Sequence, residues 1–81
     1  MRTQDQRIVK EFMDRYVRGL PRLRGFVPGE LRGRIRSRLL GRLRGEEPLV
    51  NYAPEWATYE HLAAAYDVTF SAWCQAKERR A

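Results

Sequence analysis

Residues 54–80 read PEWATYEHLAAAYDVTFSAWCQAKERR, and the fold turns on whether this stretch is one helix or two. After Pro54 it holds neither Gly nor Pro, the residues that most often punctuate a helix. Trp56, Tyr59, Ala63, Tyr66, Phe70 and Trp73 recur at 3-4-3-4-3, the heptad spacing of one helical face. At ~100° per residue, Leu62 and Cys74 join these six within an arc of ~120°. Such a stripe is a core face. On this reading a single helix runs from about Pro54 to Arg80, and Val68 is the one large apolar residue off its stripe.

A second reading breaks the stretch near Asp67. Leu62-Ala63 is followed four positions after Ala63 by Asp67, and then by Val68-Thr69. In these slots the segment 58–77 resembles the helix-turn-helix motif of DNA-binding proteins as a class. The resemblance implies that Thr69 caps a recognition helix exposing Phe70, Ser71, Gln75 and Lys77. It also implies that Tyr59, Tyr66, Val68, Trp73 and Ala76 are buried. Phosphate contacts would then come from Lys77, Arg79 and Arg80 and from the arginine-rich segment upstream. The turn slot, usually Gly, holds Asp67, which tolerates a left-handed conformation better than most residues. The expected fold is therefore all-α, a small bundle of three helices, or four if the chain turns near Asp67.

Upstream lies the charge. Residues 15–45 carry ten arginines against Glu30 alone, a net charge of +9. Residues 1–14 are neutral in sum and residues 46–81 carry −3, so the whole chain has +6. Of its 16 basic residues, 14 are Arg. A solvated face is the plain alternative, but solubility needs no bias of ten to one. Guanidinium forks match the planar oxygens of phosphate and carboxylate, so the bias points to a polyanion.

The same segment has helical spacing. Pro28 suits a first turn, and Leu31, Ile35, Leu39 and Leu43 then repeat every four residues. Arg34, Arg38 and Arg42 form one ridge beside this seam, and Arg32 and Arg36 overlap its other edge. Gly33 and Gly41 each weaken the helix by ~1 kcal/mol relative to Ala. They mark places where it bends or breaks, or where backbone approaches a ligand, and Gly45 suits a C-cap. Further upstream, Thr3 and Gln6 have capping-box spacing. Ile8, Val9, Phe12, Met13, Tyr16, Val17 and Leu20 mark one helical face, which Gly19 and Pro21 end. The expected core is Ile8, Phe12, Tyr16, Leu31, Ile35, Leu39, Tyr59, Leu62, Tyr66 and Trp73.

Length and composition exclude much else. Eighty-one residues make a single helical domain, residues 1–81, with 43% apolar and 32% charged residues. A lone cysteine, Cys74, permits no internal disulfide, which fits a reducing cytoplasm. Cys74 and His61 together fall short of the four ligands of a structural zinc site, so no metal is expected. The longest apolar run, Leu62 to Tyr66, cannot span a bilayer, and the first residues lack the apolar stretch of a signal peptide. His61 has no nucleophile in view, and Glu46-Glu47 are adjacent and point apart. The glycines at 19, 25, 29, 33, 41 and 45 match no phosphate-loop pattern. Neither an enzyme nor a cofactor is expected.

The leading expectation is a small cytoplasmic DNA-binding regulator of helix-turn-helix type. Its interface would comprise Arg32, Arg34, Arg36, Arg38 and Arg42 with Thr69, Ser71, Gln75 and Lys77. The same arginines serve RNA equally well. The rival class is a helical interaction module, an inhibitor or adaptor that sets its arginine face on an acidic protein surface. A homodimer sharing the aromatic stripe or the Leu31-to-Leu43 seam completes the expectations.

Overall fold

The computed structural model describes residues 3–80; the side chains of Thr3 and Arg80 lie outside it, and with them the cap expected of Thr3 and the phosphate contact expected of Arg80. Among the described residues there are three α-helices and no strand, as the all-α expectation has it. They are α1 (Thr3–Tyr16), α2 (Pro28–Leu43) and α3 (Ala57–Arg80), the last entered through a 3-10 turn at Pro54–Trp56. The chain divides into two compact units, one ending at Leu49 and the other beginning at Val50.

In the first unit α1 and α2 pack on one another. α1 has Asp5 in its first turn and Arg15 in its last, each facing the favourable end of the helix dipole. Its buried side chains are Val9, Phe12, Met13 and, just beyond its end, Val17. The expected core residues Ile8 and Tyr16 flank this line. Ile8 is half-buried, and Tyr16 is 45% exposed, its ring 4.9 Å from that of Phe12. Gly19 does not adopt the left-handed cap expected of it, since among the described residues only Gly25 and Gly45 have positive φ. The helix is closed instead by Val17 N–H on Met13 O at 3.0 Å, with Arg32 of α2 donating to Val17 O.

The link to α2 carries a tight turn. Phe26 N–H donates to Leu23 O at 3.1 Å, and Gly25 between them has φ 85°, a value that only Gly adopts without strain. Pro28 then takes the first position of α2, where its missing N–H costs nothing. Leu31, Ile35 and Leu39 are fully buried, each adding ~1.5–3 kcal/mol of apolar stabilisation. They belong to the chain's own core, and Leu43, the last residue of the seam, is half-buried. α2 runs without a break past Gly33 and Gly41. Its end is a Schellman closure: Glu46 N–H reaches Gly41 O at 2.9 Å and Gly45 N–H reaches Arg42 O at 3.0 Å. Gly45, with φ 78°, supplies the left-handed residue that a C-cap requires.

In the second unit, Asn51 N–H donates to Glu60 Oε2 at 2.9 Å and Ala53 N–H to Asn51 Oδ1 at 3.0 Å. These bonds fasten the incoming chain to the first turn of α3. Tyr59, Ala63, Asp67 and Phe70 are buried, a 4-4-3 line along one side of the helix. Trp56, Leu62, Tyr66, Trp73 and Cys74 flank it, half-buried. Trp56 meets Tyr59 edge-on at 5.6 Å, and Phe70 stacks with Trp73 at 6.2 Å. Burial also pushes the Tyr66 phenol above its ordinary value.

Residues 66–69 are helical, so the chain takes the three-helix form and the turn near Asp67 is not made. The reason is local. A turn there needs a left-handed residue, and no described residue other than Gly has positive φ. An unbroken helix also keeps the aromatic stripe in phase. Asp67, the expected turn residue, lies instead on the buried line with 7% of its surface exposed.

Candidate nucleic-acid interface

Five of the expected interface residues lie on α2, and the helix sorts them by their angle from the buried seam. Arg34, Arg38 and Arg42 follow one another at single-turn intervals along one side. Arg34 and Arg42 are exposed and Arg38 is half-buried. All three already take part in interactions within the chain. On the other side Arg36 is exposed, while Arg32 is half-buried and turned inward. Arg32 Nη1 donates to Val17 O at 3.0 Å, which satisfies a carbonyl at the end of α1 and ties that end to α2.

The cationic surface extends beyond α2. Arg15 and Arg18 at the end of α1, and Arg22 and Arg24 in the link, are exposed. In the link they are interleaved with Leu20, Leu23 and Phe26, which are half-buried. The Gly25 turn fixes the backbone that presents Arg22 and Arg24. These four arginines belong to the charge of residues 15–45 but not to the expected interface. The signal that finds Arg22 and Arg24 is this alternation of Arg with large apolar residues in a segment without helical spacing.

Acidic groups trim the surface at its edges. Glu46 Oε2 lies 4.0 Å from Arg44 Nη1, and its side chain lies over Gly41, where an added Cβ would come within 3.3 Å of Oε1. On α1, Lys10 Nζ meets Asp14 Oδ2 at 3.0 Å. That hydrogen bond holds the Asp14 carboxyl below its ordinary value, and Arg18 and Arg32 add to the effect. By sequence, residues 1–49 hold thirteen basic against six acidic residues, net +7, and residues 50–81 hold three against four, net −1.

The residues expected on a recognition helix do not gather on one face of α3. Counting ~100° per residue from Thr69, Ser71 lies ~160° away, Gln75 ~120° and Lys77 ~80°. Thr69 caps nothing: its Oγ1 donates to Ala65 O at 3.0 Å, the bond of a helix interior. Ser71 is half-buried and Gln75 exposed. Lys77 Nζ sits 4.5 Å from the centre of the Trp73 ring, a cation–π contact. Among the described residues no His, Cys, Asp and Glu side chains group as a metal site would require, and no helix is long and apolar enough to cross a membrane.

No protein-family model matches the chain, and no curated protein or solved structure matches it either.

Proposed function

We propose that this protein is a non-catalytic nucleic-acid-binding protein, acting as a small cytoplasmic DNA-binding regulator that grips the phosphate backbone. The observation that carries the reading is the concentration of arginine in residues 15–44. There Arg15, Arg18, Arg22, Arg24 and Arg36 are exposed on a unit of net charge +7. Guanidinium groups on a fixed turn and on two helices meet a line of phosphates at several points, and each such contact releases counterions. With α3 unbroken, the support is for backbone contact and not for base reading by a second helix of a helix-turn-helix pair.

The test is a salt titration of the full chain on a random-sequence duplex between ~50 and ~300 mM salt. The triple variant Arg22→Gln, Arg24→Gln, Arg36→Gln should weaken binding and lower the log–log salt slope by about 2–3, roughly 0.9 for each phosphate no longer neutralised. The triple variant Arg34→Gln, Arg38→Gln, Arg42→Gln should in addition lower stability, because those side chains have interactions within the chain. The same titration with double- and single-stranded RNA separates the two nucleic acids. Wild-type protein that ignores both at ~50 mM salt ends the reading.

A second reading, the interaction module, has its own support. Leu49 and Tyr52 are 97% and 89% exposed in the extended segment after Glu46-Glu47. Large apolar side chains presented this way suit capture by a protein partner.

A further inference from the structure

From His61 to Ala76, sixteen consecutive residues of α3, the only charged side chain is Asp67, and Asp67 is buried. The solvent side of this segment is His61, Ala64, Ala65, Val68, Thr69, Ala72, Gln75 and Ala76, all exposed, with Val68 at 72%. In a chain with 32% charged residues, four helical turns of exposed surface without one charge is anomalous, because exposed helix positions are where charges normally sit. The opposite side of the helix is the aromatic stripe. Over its middle, α3 thus shows solvent a side with no charge, while its one charged residue, Asp67, lies on the buried line.

We propose that a second copy of this chain covers that side, the two α3 helices pairing antiparallel about Val68. Three features select a second copy. First, the order of residues is nearly symmetric about Val68: Ala64 and Ala72 stand four residues away on either side, and His61 and Gln75 seven. A two-fold axis through Val68 therefore sets Val68 on Val68, Ala64 on Ala72 and the His61 imidazole opposite the Gln75 amide of the other copy. Second, charge selects the surface. Residues 1–49 carry +7 and repel their own kind, whereas residues 50–81 carry −1 and this side carries none. Third, antiparallel pairing sets the positive start of each α3 beside the negative end of the other.

The size of the surface sets the strength. Residues 61–76 span ~24 Å of helix, which at ~12 Å width gives about 290 Å² per copy against ~800 Å² in a standard interface. Alanines let the axes approach to ~8 Å, but so small an interface makes a weak dimer.

The test is sedimentation velocity of the full chain from ~1 to ~500 µM. Wild type should pass from monomer to dimer across that range. Val68→Glu, which sets two carboxylates on the axis, should stay monomeric with an unchanged circular dichroism spectrum. For geometry, His61→Cys and Gln75→Cys are made separately, each with Cys74→Ala. A mixture of the two should form a disulfide-linked dimer under mild oxidation, and neither should do so alone. A strict monomer at ~500 µM overturns the proposal, as does a dimer that survives Val68→Glu. Cross-linking by either cysteine variant alone overturns the antiparallel arrangement.

Discussion

Gly33 and Gly45 lie twelve positions apart along one helix and its closure, and the structure asks different things of them. Gly33 sits inside α2, and a Cβ built on it would meet nothing within 4 Å. Its cost is the backbone freedom it loses on folding, so Gly33→Ala should stabilise the protein by ~0.5–1 kcal/mol. Gly45 has φ 78° and closes α2, where a Cβ is strained whatever the space. Gly45→Ala should cost ~1–2 kcal/mol. Urea denaturation followed by helical circular dichroism measures both, and the signs should be opposite. If Gly33 serves close approach to a phosphate, Gly33→Ala should weaken duplex binding while the midpoint rises.

The helices themselves differ in how they are held, and α2 is the clearest case. It begins at Val27, whose φ of −78° and ψ of 130° are already those of an N-cap, yet its side chain offers no hydrogen bond. Val27→Ser adds the missing acceptor at a position 59% exposed, so little apolar burial is lost. It should stabilise by ~0.5–1 kcal/mol, seen as a higher melting temperature with unchanged helix content. The helices were legible in the sequence because apolar spacing and the Pro and Gly punctuation agreed: Pro28 opens α2 and Gly45 closes it. The centre of each buried face was less legible. Spacing offers Ile8, Phe12 and Tyr16 as readily as Val9, Phe12 and Met13, and the groove of the neighbouring helix decides between them. The unbroken α3 was one of two readings that the same letters allowed. The engagement of Arg32 was not legible at all, since it depends on a carbonyl fifteen residues away that only the packing of α1 on α2 brings near.

Over the whole molecule, charge is segregated by position in the chain, and that bears on stability as well as on binding. Residues 15–45 hold ten arginines against one acid, and the exposed pairs Lys10–Asp14 and Arg44–Glu46 offset little of their repulsion. Screening that repulsion should raise the melting temperature by a few degrees between ~10 and ~300 mM sodium chloride. Sulfate at equal ionic strength should raise it further, because an anion held by the folded state adds its binding free energy to stability. Thermal scans in the two salts read this directly. A flat or falling response would mean that contacts within the chain already neutralise the arginines.

The unequal ends of α2 give the helix a direction in time. Its start has no side-chain cap and its finish is locked by the Gly45 closure, so brief openings should spread from Val27 inward sooner than from Arg44 backward. Arg34, two turns from the uncapped end, should therefore sample more positions than Arg42 beside the closed one. On the proposed function, a strand of phosphates would meet one steady guanidinium and one still free to adjust, and would settle its register from the finish of the helix toward its start.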